Sequence, residues 1–142
     1  MKTINNAMKM VLLSDSRNES FARTAVTAFV SQLDPKTDEL ADIRTAVSEA
    51  VTNCVIHGYR GGEGKITLEV KLYDDRTVRI AITDRGCGIE DIEKAKQPLF
   101  TTDESGERGG MGFAIMESFS DRLTVRSRPG KGTTVVMIRR LQ

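Results

Sequence analysis

The chain of 142 residues contains 12 glycines, and none of them precedes Gly58. Glycine allows left-handed backbone and close approach of one chain to another or to a ligand, and it weakens helices and strands from within. The part of the chain before Gly58 is therefore suited to regular elements, and the part from Gly58 to Gly132 carries the special loops.

Within the first part, Met8, Met10 and Leu12 alternate as in a short strand, and Ser16-Arg17-Asn18-Glu19 has the spacing of a capping box that opens a helix. Phe21, Ala22, Ala25, Val26, Phe29, Val30 and Leu33 recur at helical spacing, which predicts an amphipathic helix ending near Asp34. Asp34-Pro35 resets the chain, with the proline expected in the first turn of a second helix. Leu40, Ile43, Val47, Ala50, Val51 and Cys54 trace the apolar stripe of that helix to a C-cap at His57-Gly58. Ile66, Leu68, Val70 and Leu72 alternate, Asp74-Asp75 turns the chain, and Val78, Ile80 and Ile82 alternate again, the pattern of an antiparallel hairpin. A third helix is expected after Gly112. Leu123 and Val125, the turn Pro129-Gly130-Lys131-Gly132 and the β-branched run over residues 133–138 read as a final hairpin. The sum predicts one α+β domain over residues 1–142, a two-layer sandwich with a mixed, mostly antiparallel sheet and helices on one face.

Charge and composition narrow the function. Lys plus Arg total 21 against 20 for Asp plus Glu, so no excess of positive charge favours direct nucleic-acid or membrane binding. No apolar run approaches the roughly 18 residues of a membrane span and the start lacks a signal peptide's hydrophobic stretch, so a cytoplasmic protein is expected. Cys54 and Cys87 form no C-x-x-C pair, which makes reduced thiols the expectation. His57 is the only histidine, a count that removes histidine-cluster metal sites and disfavours hydrolases that need a histidine base.

Three groups of residues carry chemistry. Glu49, Asn53 and His57 stand at i, i+4 and i+8, where a carboxylate and a carboxamide one turn apart can supply a base and a metal ligand; the same trio also describes a solvated helix face with an end cap. Asp84-Arg85-Gly86-Cys87-Gly88 stands at a strand end, where the Asp can accept from an exocyclic amine and the glycines let backbone approach a flat ring; a bare strand-to-helix turn has the same composition. Gly106, Gly109, Gly110 and Gly112 precede the third helix, a setting in which backbone N–H groups bind phosphate with Arg108 as a charged donor, or in which a loop is merely flexible. The P-loop, the Rossmann glycine pattern and the protein-kinase catalytic loop are all absent.

Glu49-Ala50-Val51-Thr52-Asn53, Asp84-Arg85-Gly86-Cys87-Gly88, Gly110-Met111-Gly112-Phe113 and Gly132-Thr133 resemble, in order, the four boxes of the gyrase, Hsp90, histidine-kinase and MutL ATPase superfamily. Ser20-Phe21-Ala22-Arg23, His57-Gly58-Tyr59 and Gln97-Pro98-Leu99-Phe100-Thr101-Thr102 add a resemblance to the anti-sigma F family of endospore-forming bacteria. The resemblance implies a Bergerat ATP-binding fold that binds Mg2+ and ATP, releases ADP, inhibits sporulation sigma factor F, and phosphorylates a serine of an anti-anti-sigma factor. Carried over by position, it implies Glu49 as general base and Asn53 as magnesium ligand, with Asp84 at the adenine amine and Thr133 supporting that pocket. Gly86, Gly88, Thr101, Thr102, Gly110, Met111, Gly112 and Phe113 join the nucleotide site, and Arg108 reaches the terminal phosphate. Residues 98–110 are expected to form a lid that orders on ATP. Arg23 is expected to meet an acidic partner patch on a homodimer, whose contact is helped by pairing of the Met8, Met10 and Leu12 strand at a sheet edge. A general-stress type of anti-sigma kinase and a nucleotide-gated binding module without kinase activity are the alternatives.

Overall fold

The structure, a computed structural model, describes residues 2–59, 62–88 and 112–142. Strand β1 (Ile4–Leu13) leads into helices α1 (Arg17–Val30) and α2 (Thr37–Asn53). Strands β2 (Lys65–Tyr73) and β3 (Thr77–Asp84), helix α3 (Gly112–Ser118) and strands β4 (Arg122–Arg128) and β5 (Gly132–Arg140) follow. The sheet order is β1-β2-β3-β5-β4. All four described pairings are antiparallel, where a mixed sheet was expected. With two consecutive helices between β1 and β2 the chain reverses three times, an odd number, so β2 returns antiparallel beside β1.

The period-2 pattern decides the buried face. Ile66, Leu68, Val70, Leu72, Val78, Ile80 and Ile82 point to the helices and are buried, joined by Val135 and Met137 of β5. Above them lie Ala22, Val26 and Val30 of α1, Ile43, Val47, Ala50 and Val51 of α2, and Met116 of α3. Burial of each large aliphatic side chain contributes about 1.5–3 kcal/mol before entropy is counted. No described helix is long and apolar enough to cross a membrane.

Local rules shift by a residue or two. Ser16 makes no side-chain cap, so the expected capping box does not form. Asp15 does that work instead, accepting from Arg17 N–H at 2.9 Å, and the Arg17 guanidinium and N–H hold its carboxyl down to about 2. Helix α1 tightens into a 3-10 turn over Ser31–Leu33, Asp34 turns left-handed at φ 49, and Pro35 falls before α2 rather than within its first turn. Glu39 closes the start of α2 by accepting from Lys36 N–H at 2.9 Å.

Candidate functional site

Asp84 ends β3, opposite Ile66 of β2 and Thr133 of β5, and is only 5% exposed. Gly86 N–H donates to its Oδ1 at 2.9 Å, and among the described residues the Cys54 thiol and Thr133 N–H are its other donors. Burial raises the Asp84 pKa, and those three neutral donors offset that only in part. Burial beside this carboxylate also pushes the Cys54 thiol well up, so Cys54 stays a neutral donor. A carboxylate offers about four acceptor positions, so the three donors among the described residues leave room for roughly one more. A neutral N–H group of a flat ring fits that vacancy in chemistry.

The chain around Asp84 is packed to leave its carboxylate no slack. Helix α2 does not end in a C-cap at His57-Gly58 but widens over Cys54–Gly58 into a π-helical turn, closed by Tyr59 N–H on the Cys54 carbonyl at 2.9 Å. Such wide turns in helices recur at functional sites. Here it moves His57 off an α-helical register with Glu49 and Asn53, and brings Gly58 against Asp84: a Cβ on Gly58 would lie 2.9 Å from Asp84 Cγ. Cys87 N–H donates to the Gly58 carbonyl at 2.8 Å and the Cys87 thiol to the His57 carbonyl at 3.1 Å. A Cβ on Gly86 would lie 2.0 Å from the Gly58 carbonyl oxygen, which explains the residue's identity. On the opposite side Gly130 N–H donates to the Cys87 carbonyl at 2.6 Å, and Gly88 lies beside Arg128.

The second half of the site is the end of α2. Asn53 is its last residue and half-buried, and its carboxamide faces the start of α3, where a Cβ on Gly112 would lie 3.0 Å from both Asn53 Oδ1 and Nδ2. Glu49 lies one turn earlier on α2 and is also half-buried. Phe113 packs against the core. Thr133 is buried, with its hydroxyl hydrogen-bonded to Ser127 Oγ at 2.8 Å, so it supports Asp84 through its backbone N–H. The structure thus gathers Asp84, Gly86, Gly88 and Thr133 at one end of β3, and Glu49, Asn53 and Gly112 at the end of α2. Thr101, Thr102, Arg108, Gly110, Met111 and the rest of the expected lid lie outside the described residues. Arg23 is on α1, where its guanidinium pairs with Glu19 of the same helix at 3.1 Å. Sequence reasoning missed Cys54 as an Asp84 donor, because a cysteine on an apolar stripe reads as core.

Residues 13–139 match the family model described as histidine kinase-like ATPase domain. The chain is 57% identical over 133 residues to the anti-sigma F factor of Caldanaerobacter subterraneus subsp. tengcongensis, covering 94% of this chain and 92% of that one. It is 54% identical to the anti-sigma F factor of Pasteuria penetrans over 141 residues, covering 96% and 92% of the two chains. In fold it is similar to the RsbU and RsbW domains of Rv1364c from Mycobacterium tuberculosis, with TM-score 0.70, 22% identity, and 96% of this chain and 32% of that chain covered. The mycobacterial sensor histidine kinase MprB is similar at TM-score 0.58 and 15% identity, covering 95% of this chain and all of that one.

Proposed function

This chain belongs to the histidine kinase-like ATPase domain family and, within it, to the anti-sigma F factors, and on that premise we propose that it binds sporulation sigma factor F and, as a Mg-ATP-dependent serine kinase, phosphorylates an anti-anti-sigma factor. Asp84 accepts from the adenine amine at its remaining acceptor position, while Gly86 and Gly88 let the chain lie against the base. Asn53 is the residue that would hold magnesium, and one protein oxygen would suffice, because magnesium takes few protein ligands. Bound Mg-ATP supplies the phosphoryl group and the charge neutralisation of its transfer. Glu49 takes the proton of the incoming serine hydroxyl as its oxygen bonds the terminal phosphorus, the bond to the bridging oxygen breaks, and ADP leaves.

A homodimer is part of this reading. Strand β1 is a sheet edge, in keeping with the expectation, but Met8, Met10 and Leu12 face the core, and besides Ile4 at the start of the strand the outward large apolar residues are Val11 and Leu13, 54% and 65% exposed. Those two offer a second copy its apolar contact.

The single observation that carries the proposal is the buried Asp84 carboxylate at the end of β3, held among the described residues by three neutral donors that leave it an acceptor position. Asp84→Asn turns an acceptor into a group that presents N–H₂ to the amine. Calorimetry is expected to show ATP binding weakened about tenfold or more. Unchanged ATP affinity in a folded Asp84→Asn protein would remove the adenine assignment.

A further inference from the structure

The described register of β2 with β3 ends at the pair Ile66 and Asp84. One residue beyond, the two strands are joined through a side chain. Arg85 N–H donates to Tyr59 Oη at 2.7 Å, and Tyr59 Oη donates to the Lys65 carbonyl at 2.5 Å. The ring lies over Gly64, where a Cβ would stand 2.3 Å from Tyr59 Cε1, so no larger residue fits beneath it without moving the phenol. The backbone of Tyr59 closes the π-helical turn on Cys54.

Tyr59 therefore ties together three segments that meet at Asp84. One is the π-helical turn, which supplies the Cys54 thiol and sets Gly58 against the carboxylate. The second is the start of β2. The third is Arg85, which precedes the Gly86 N–H that fixes Asp84 Oδ1. We propose that the Tyr59 hydroxyl is a positioning group that aims the Asp84 carboxylate at the exocyclic amine of an adenine nucleotide, and so sets discrimination between purine bases. This rests on the reading that Asp84 receives that amine. Tyr59 touches no ligand in this role; it acts through Arg85 and Gly86. Removing the hydroxyl leaves Arg85 N–H and the Lys65 carbonyl without their shared partner, and the turn that aims Asp84 loosens while the half-buried ring stays in place.

The test compares calorimetric affinities of the full chain and its Tyr59→Phe variant for ATP and for inosine triphosphate, which carries an oxo group where ATP carries the amine. Circular dichroism confirms folding, and amide exchange at Arg85 reports whether the turn has loosened. The parent chain should prefer ATP. In Tyr59→Phe, ATP affinity should fall about fivefold, inosine triphosphate affinity should hold, and Arg85 should exchange faster. Equal weakening of both nucleotides would mean that the hydroxyl only supports the fold, and an unchanged preference would show that it does not aim Asp84; either overturns the proposal. A parent chain that binds the two nucleotides alike would overturn the Asp84 reading itself and the proposal with it. Should Tyr59→Phe fail to fold, Gly64→Ala, which keeps the hydroxyl but displaces the ring, is expected to lower the same preference, and an unaltered preference in that variant also overturns the proposal.

Discussion

Asp84 and Glu39 are both buried carboxylates, and their surroundings move their pKa values in opposite directions. At Glu39 burial pushes the pKa up, but N–H donors from Gln142 and Lys36, both at 2.9 Å, and the charges of Arg139 and Lys36 outweigh it. Its folded pKa is therefore below the unfolded one, so the stability it contributes is present above the ordinary carboxylate range and is lost as pH falls through the lowered value. Asp84 has the reverse sign: the folded chain holds its proton more tightly, so the free protein loses stability as pH rises from 3.8 through the raised value. A site that keeps a costly ionised carboxylate ready for a ligand has this signature. Glu39→Gln can satisfy only one of the two N–H donors with its single oxygen. It is expected to cost about 1–3 kcal/mol at neutral pH and to flatten the acid side of a plot of Tm against pH. Thermal melts from neutral pH to about pH 3 check both, and an unchanged neutral Tm would contradict a stabilising role for the two hydrogen bonds that Glu39 accepts. At this scale the sequence was informative where chemistry is local, as in the Asp84-Arg85-Gly86-Cys87-Gly88 run. It was silent on Tyr59, whose hydroxyl meets Arg85 across 26 residues and has no spacing to betray it.

Among the elements, the β4–β5 turn shows how packing separates two glycines that look alike in sequence. Gly130 and Gly132 both have positive φ, 76 and 106. A Cβ on Gly130 would meet nothing within 4 Å, whereas on Gly132 it would lie 2.2 Å from the Asp84 carbonyl oxygen. Gly130→Ala is expected to cost about 1 kcal/mol, from left-handed backbone alone, and to leave ATP affinity intact. Gly132→Ala is expected to cost more and to weaken ATP binding, because β3 must shift at Asp84. Denaturant melts and calorimetry on the pair check this, and equal behaviour of the two variants would contradict it. The alternating strands and both long helices were legible because period 2 and period 3.6 report burial directly. The antiparallel closure of the sheet and the π-helical turn at Cys54–Gly58 were not, since each depends on what the chain meets in space.

For the whole molecule, the proposed nucleotide site and the proposed partner surface sit on different elements. Arg23 is on α1, paired with Glu19, and neither residue touches Asp84 or Asn53 among their described contacts. Arg23→Glu sets two like charges one turn apart on α1, which costs α1 only a few tenths of a kcal/mol. It is expected to weaken capture of both sigma factor F and the anti-anti-sigma protein, with ATP affinity unchanged, as pull-down and calorimetry would show; normal capture of both would mean that the shared surface lies elsewhere. The central claim is that the α2 and β3 pocket turns bound ATP into a phosphorylated partner. Its most direct test is transfer of label from terminally labelled ATP to the serine of the anti-anti-sigma protein, with the parent chain and with Glu49→Gln. The expected result is labelling by the parent chain, with Glu49→Gln binding Mg-ATP as the parent does but transferring about 10² to 10⁴ times more slowly. Transfer by Glu49→Gln at the parental rate, or none by the parent chain, would contradict it.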